Sequence, residues 1–321
     1  MELIRLTDIP GVQVGHAHNL EAATGCTVAL FPEGAVAGVD VRGGAPGTRE
    51  TDLLNPLNLV EKVHGVLLAG GSAFGLDAAA GIMRYLEERS IGFDVEVTRV
   101  PIVTGAVIFD LACGEARIRP DAAMGYQACL NASRHSFAEG SVGAGTGATI
   151  GKIRGLEYAM KGGIGACAYR VGGLMVGALV AVNCFGDVVD PETGRIVAGT
   201  LDDQKRRFVG TEQLLIANYD SRTNYFTGNT TIGAVVSNAI LTKAQATKVA
   251  GMAHNGLARS IRPVHTLYDG DTLFALGTGE IDADVNVVGI LAVRAVEAAV
   301  LNAVRQAQPL AGFKSWGELN Q

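Results

Sequence analysis

Positive charge is scarce in this chain. Its 321 residues carry 26 Lys and Arg against 32 Asp and Glu, a net charge of −6. A general nucleic-acid binder needs a basic face to displace counterions, so that class is excluded. Charged residues of both signs reach only 18%, against 48% hydrophobic, which excludes global disorder and leaves enough apolar surface for a sizeable core. Proline is rare, at 9 residues, and glycine has no period of three, so collagen-like structure is out. Long apolar runs are missing too: 171–182 (VGGLMVGALVAV) is glycine-rich and falls short of the roughly 20 residues a spanning helix needs. No membrane span is therefore expected. The start, MELIRLTDIPGVQVGHAHNL, lacks a basic segment followed by an apolar core, so no signal peptide is expected. Cysteine is sparse and odd in number, 5 in all, with no metal-type spacing. Reduced core thiols in a cytoplasmic protein are expected, and no zinc site.

What the chain does have is glycine: 43 residues, about 13% and roughly twice average usage. They serve tight turns and close backbone approaches. The length suits one large domain or two small ones. Residues 63–69 (VHGVLLA) read as a buried strand, with a helix near 75–88 and another strand at 101–109. Two apolar runs within 164–182, parted near Gly172–Gly173, read as a hairpin of core strands. A turn follows in GDVVDPETGRIVAG, 186–199. The polar run 201–229 reads as an exposed linker. Order resumes at Thr230, where TTIGAVVSNAIL (230–241) reads as a strand. Thr242 and Gln245 fit a capping box, opening a helix with Ala246, Val249, Ala250, Ala253 and Leu257 on one face. A strand at 272–278 and an Ala/Val-rich helix near 285–307 close the chain. Strands and helices mix throughout, which predicts a layered α/β or α+β fold.

Several motifs have plain readings. GAGTGATIGK (143–152) fails as a phosphate loop, because Thr146 stands at the first glycine position and Ile153 follows Lys152. No well-placed acid supports a dinucleotide site either. Lys152, taken alone, is a surface lysine after a turn, although a lysine behind small residues can approach a site closely. GGSAFG (70–75) is not a nucleophile elbow, and Ser72 reads as a turn residue. His254 and His265 match no triad by spacing and read as structural residues or as support for a site. Asp269-Gly270-Asp271 puts two carboxylates on one side of an extended segment, either as a turn before a strand or as a pair able to hold a base or a substrate ammonium. Asn229-Thr230-Thr231 marks the junction of the polar run and a strand. Thr230 could simply start that strand. But a threonine can also attack the preceding carbonyl, and scission there would free an α-amine with pKa of about 7.7–8.0, a base for the hydroxyl beside it.

The combination is more specific than any one motif. VPIVTGAVIFDL (100–111), GAGTGATIGK (143–152), VGALVAVNCFGDVVDPETG (176–194), GNTTIGAVVSNAILTKAQ (228–245) and MAHNGLARSIRPVHTLYDGDTLFALGTGEID (252–282) occur in one order. So arranged, they resemble the DmpA-type family of self-processing aminopeptidases and amidases. That family includes β-peptidyl aminopeptidases, D-/L-aminopeptidases and endo-type nylon-oligomer hydrolases. The resemblance runs nearly the whole chain.

The resemblance implies a four-layer αββα sandwich of the N-terminal-nucleophile type. It implies a single domain, residues 1–321, cut between Asn229 and Thr230 into chains of 229 and 92 residues (321 − 229) that stay associated. Thr230 would be nucleophile and, through its freed amine, general base. Asn183 would donate to the oxyanion and Lys152 would tune the amine. Asp269 and Asp271 would orient the amine and the lysine. Phe109 stands where some members have a tyrosine that reaches the oxyanion, a bond that phenylalanine cannot make. The forms Asn-Thr-Thr and Asp-Gly-Asp look closer to the nylon-oligomer branch, whereas GATIGK and GDVVDPETG look closer to the aminopeptidases. No cofactor and no metal are implied. The expected substrate is a short peptide or linear oligoamide, and the expected assembly a homotetramer of two-chain units. The competing expectations are an acyltransferase of the self-processing ornithine acetyltransferase type, whose signature blocks are not found, and a non-catalytic homologue.

Overall fold

A computed structural model describes residues 1–220 and 228–319. Its centre is one ten-stranded sheet. In chain order the strands are β1 (Glu2–Ile4), β2 (Gln13–Asn19), β3 (Thr24–Val41), β4 (Thr48–Arg49), β5 (Lys62–Ala69), β6 (Val103–Val107), β7 (Gly163–Val171), β8 (Leu174–Asn183), β9 (Thr230–Ala239) and β10 (Thr272–Ile281). They lie in the order β1-β7-β8-β9-β10-β3-β5-β6-β4, with β2 beside β3. The helices that matter are α1 (Ala78–Glu87), α2 (Ala122–Leu130), α3 (Thr211–Ala217), α4 (Lys243–Ser260) and α5 (Val285–Arg305).

The sheet folds over on itself at β3. Its pairing with β5 loses register between Leu30 and Ala35, around a left-handed Gly34. The first half of β3 pairs with β2, and the second half with β10. Side-chain alternation then builds three apolar cores. In β3, Val28 and Leu30 face α1 and α2, while Ala29 and Phe31 face the space between the two sheet leaves. In β8, Leu179 and Ala181 point into that same space, while Val180 and Val182 face α4 and α5. The result is helices, leaf, leaf, helices: the four-layer αββα arrangement that the resemblance implies.

Two βαβ crossovers order the leaves. β5 and β6 are parallel with α1 between them, and β9 and β10 are parallel with α4 between them. The second crossover builds the site. It sets the start of β9 beside the loop that enters β10, with Asn229 bridged to Asp269. On its other side β9 pairs antiparallel with β8, so that Thr230 lies opposite Asn183. The hairpin read near Gly172–Gly173 is the turn between β7 and β8. The predicted capping box is present at Thr242 and Gln245, and the predicted face of α4 is buried. The α5 helix, at 21 residues, is long and apolar enough to cross a membrane by length and composition, and its apolar face packs into the core beneath β7 and β8.

The polar run departs from expectation. Leu201 is buried and bridges Phe208, and α3 forms at Thr211–Ala217. The cause is Asp187, a buried carboxylate that accepts from Thr200 N (2.8 Å), Thr211 N (2.5 Å) and Thr211 Oγ1 (2.7 Å). The run 201–229 is thus partly folded, and its stretch 221–227 lies outside the described residues. The strand read at 101–109 is also shorter, so Phe109 falls beyond its end.

Packing and capping should separate cleanly in stability. Phe274 is fully buried between the leaves, so Phe274→Ala is expected to cost about 3–5 kcal/mol. Thr242→Ala removes one exposed cap and should cost about 1 kcal/mol. Urea unfolding of the two variants checks the contrast.

Candidate active site

Thr230 is the first residue of β9 and is 5% exposed. Its hydroxyl donates to the carbonyl oxygen of Asn229, the residue just before it. The same oxygen accepts from Gly270 N–H at 2.9 Å. Glycine is required at 270, because a Cβ there would lie 2.8 Å from Thr230 Oγ1 and 2.6 Å from the Ala45 carbonyl. The Thr230 hydroxyl therefore faces a carbonyl whose oxygen already has a backbone donor.

One residue earlier, the Gly228 carbonyl oxygen sits between two side-chain donors. Asn183 Nδ2 reaches it at 3.2 Å and Lys152 Nζ at 3.3 Å. Asn183 Nδ2 also donates to the Phe109 carbonyl, 3.1 Å. The other end of the amide is fixed. Asn183 Oδ1 accepts from Thr149 N (2.9 Å), Thr149 Oγ1 (3.3 Å) and Lys152 Nζ (2.9 Å). Lys152 completes its set on the Asn183 carbonyl, 3.0 Å. Burial lowers the Lys152 ammonium to about 8, opposed by the nearby Cys113, Cys184 and Asp269. Three acceptors around three N–H donors favour the charged form.

The two carboxylates are buried and diverge. Asp269 Oδ2 accepts from Thr266 N (3.0 Å) and Thr266 Oγ1 (2.6 Å), and its Oδ1 from Phe185 N (3.3 Å). Asp271 Oδ1 accepts from Thr231 N (2.7 Å), and its Oδ2 from His265 N (3.1 Å) and His265 Nδ1 (2.8 Å). At 1% and 0% exposure, with these partners, neither is open to a substrate ammonium, which corrects that reading of the pair. Neither bonds Lys152 directly. Asp269 acts on it through space.

Sequence reasoning placed Thr230, Asn229, Asn183, Lys152, Asp269 and Asp271, and the fold brings all six together. It gave no role to Thr149, to the Gly270 N–H or to Thr266. Thr149 lies in GATIGK, three residues before Lys152, and neither its type nor that spacing marks a role. His265 was left as structural or supporting, and it proves to hold Asp271. His265 also meets His254 edge-on, ring centres 4.8 Å apart. His254 Nε2 lies 2.9 Å from the Asp40 carbonyl, so that nitrogen carries the hydrogen. Burial lowers His254 to about 4, which leaves it neutral near pH 7. The Phe109 ring lies against Gly228, where it would collide with any Cβ.

A cavity of about 110 Å³ opens beside Thr230. Ala45, Pro46, Ala73, Val107 and Phe109 make its wall mostly apolar, and Ser72 and Tyr268 add polar atoms. Among the described residues no three His, Cys, Asp or Glu side chains are grouped as a metal site requires. The arrangement joins a hydroxyl facing a carbonyl, polarising donors and an adjacent chamber, the parts of an acyl-transfer site.

Comparison with known proteins agrees. Residues 5–316 match the model of peptidase family S58. The chain belongs to peptidase family S58. It is 44% identical over 342 residues to an uncharacterized aminopeptidase of Mycobacterium tuberculosis, covering 98% of this chain and 97% of that protein. It is 37% identical over 278 residues to a 6-aminohexanoate-oligomer endohydrolase of Kocuria sp., covering 86% and 75%. Among solved structures, the L-aminopeptidase D-Ala-esterase/amidase of Ochrobactrum anthropi superposes with TM-score 0.72 at 21% identity, over 95% of this chain and 87% of that one. A Burkholderia sp. β-aminopeptidase gives 0.69 at 20% identity, over 98% and 92%. The fold is of the N-terminal-nucleophile hydrolase type. As an S58 member, this protein is a hydrolase of peptide or related amide bonds.

The buried carboxylate makes a pH prediction. Burial, and then the neighbouring Asp271, raise Asp269 from 3.8 to about 6 in the folded chain. The native state therefore holds a proton that the unfolded state has lost between those pH values. This group's contribution to stability falls as pH rises from about 4 to 6. In a Thr230→Ala background, which keeps one covalent species, Asp269→Asn should remove that slope. The stability difference between the two proteins should shift by up to about 3 kcal/mol between pH 4 and 7, one pKa unit being worth about 1.4 kcal/mol. Urea titrations across that range read it directly.

Proposed function

We propose that the chain is the precursor of an N-terminal-threonine amidohydrolase, self-cleaved between Asn229 and Thr230. The observation that carries this is the Thr230 hydroxyl on the Asn229 carbonyl, whose oxygen the Gly270 N–H already polarises. Thr230 Oγ attacks the Asn229 carbonyl carbon. The C–N bond breaks, and the hydroxyl proton passes to the departing nitrogen. The resulting ester is hydrolysed by water to an Asn229 carboxylate and a free Thr230 amine and hydroxyl. Chains of 229 and 92 residues result from the 321.

Withdrawal of the Gly228–Asn229 end empties the position of the Gly228 oxygen. Asn183 Nδ2 and Lys152 Nζ both aim there. A substrate carbonyl placed on them lies beside Thr230. The amine takes the hydroxyl proton, Oγ attacks, and Asn183 holds the oxyanion as charge develops. One such donor is worth about 3 kcal/mol in the transition state. Asp271, held by His265, steadies the start of β9 through Thr231 N–H. Asp269 compensates the cations. The leaving amine departs, and water resolves the acyl-threonine.

The substrate class is a short peptide or linear oligoamide, whose acyl side enters the largely apolar chamber. The family's named activities include both aminopeptidase and oligomer endohydrolase. A panel of amino-acid anilides, β-dipeptides and 6-aminohexanoate oligomers tells the two apart. The two chains stay together as one domain and, by resemblance, assemble as a homotetramer. A cytoplasmic location accords with five free thiols.

Intact-mass analysis tests the scheme. Wild type should give two chains that meet at 229/230, and Thr230→Ala one whole chain without amidase activity. An uncut but active wild type would sink the reading. Turnover should also rise with pH as the Thr230 amine loses its proton, with a midpoint around the ordinary α-amine value of about 8, which burial and Lys152 lower and the Asp269–Asp271 pair raises. Asn183→Ala should lower kcat by about 10²-fold or more, measured per cleaved chain.

A further inference from the structure

A second buried lysine lies next to the site, and the reaction above makes no use of it. Lys161 is 1% exposed, and its Nζ donates to the carbonyl oxygens of Gly145 (3.0 Å), Ala148 (2.7 Å) and Gly162 (3.0 Å). All three of its N–H donors are thereby used. Two of those oxygens belong to the glycine-rich turn that runs into Thr149. The main chain makes a second tether: Lys161 stands opposite Thr149 in a short antiparallel pair, and Gly162 N–H donates to the Ala148 carbonyl at 2.8 Å. The residue before Thr149 is therefore gripped by an ammonium and by a backbone amide together.

Thr149 shares with Lys152 the task of setting which way the Asn183 amide faces, and supplies two of the three donors on Asn183 Oδ1. Its N–H and hydroxyl hold Asn183 Oδ1, and this turns Nδ2 toward Gly228 O and Phe109 O. A flipped amide would set Oδ1 against two carbonyl oxygens and Nδ2 against donors, so the orientation depends on where Thr149 stands as well as on Lys152. We propose that Lys161 is a positioning residue for the Asn183 amide, acting through the 145–148 turn and Thr149; this rests on the amidohydrolase reading. Without the ammonium, the Gly145 and Gly162 oxygens lose a donor inside the protein, and the turn relaxes away from Asn183. A lysine retained only for stability would lower the amount of folded enzyme. A positioning lysine lowers the rate of each folded molecule.

A double-mutant cycle separates these roles. Lys161→Met is made in wild type and in Asn183→Ala. Both kcat and KM are measured per cleaved, folded chain on the anilide or oligomer that the wild type hydrolyses fastest. The expected result is a fall in kcat of at least about tenfold with KM within about twofold, and no further fall when Asn183 is already alanine. An equal factor in both backgrounds, or an unchanged kcat, overturns the proposal. Should Lys161→Met not fold, Lys161→Arg is read in the same cycle, and the same two patterns decide. A wild type that hydrolyses no amide overturns the amidohydrolase reading and this inference with it, a result distinct from equal losses in an active enzyme.

Discussion

An ammonium enclosed in protein must find as many oxygen acceptors as it has hydrogens, and that demand organises the site around Lys152. Its acceptors are the Asn183 carbonyl, the Asn183 side-chain oxygen and the Gly228 carbonyl. Two belong to the end of β8, and the third to the segment entering β9. Paired side by side, these strand ends can converge on the lysine only when Thr230 stands opposite Asn183. A one-residue slip would turn β9's inner residues Ile232, Ala234 and Val236 out of the core between the leaves. The core thus fixes the register, and the register fixes the nucleophile against the lysine and the amide.

The third Lys152 acceptor differs from the other two because it lies on the chain expected to withdraw. Before cleavage, Gly228 O satisfies both Lys152 and Asn183. After the proposed cleavage two buried donors would face an empty carbonyl position, an unfavourable state that a substrate carbonyl would relieve. Processing and turnover then draw on separate groups. The oxygen of the bond first broken is held by the Gly270 N–H, and the position left by Gly228 is served by side chains. The Gly270 amide comes from the loop before β10, and the side chains from β8 and from the segment after the glycine-rich turn. The two βα crossovers and the folded sheet bring these distant segments to one end of β9.

Much of this was legible locally. The β7–β8 hairpin, β9, and α4 with its Thr242 cap are written in alternation, helical spacing and capping chemistry, all within a few residues of themselves. The folding of the sheet at β3 was not, because it depends on which strands flank each half of an 18-residue strand. The 201–229 run misled for a related reason. Its polarity reads as solvent exposure, while its order at Thr211 comes from Asp187, outside the run and 24 residues before Thr211. At the site, a threonine behind an asparagine, a lysine behind glycines and paired aspartates each had an ordinary reading alone, and the family resemblance gave them and Asn183 their roles. Thr149, Thr266 and the Gly270 N–H act through ordinary hydrogen bonds and the backbone. Nothing in their identity marks them until the fold gives them a partner.

Charge balance links the two states of the chain. In the intact protein the buried carboxylates of Asp269 and Asp271 repel each other, and the Lys152 ammonium acts on Asp269 only through space. The cost of this repulsion falls on Asp269, whose proton is held to about pH 6 by burial and by Asp271. Asp271 has its oxygens on Thr231 N–H and on His265, so it cannot move off to relieve the strain. The proposed cleavage would create an amine on Thr230 itself, next to Thr231. Once the Asn229 carboxylate withdraws with its chain, the pocket can carry two cationic nitrogens against two carboxylates. On the proposed processing, the acidic pair would be matched to the cleaved enzyme rather than to the precursor. Its charge favours a protonated Thr230 amine, while burial and the Lys152 ammonium oppose one. On that proposal the amine would work as a base near neutral pH because those opposing influences come from groups that the fold already places in the uncut chain.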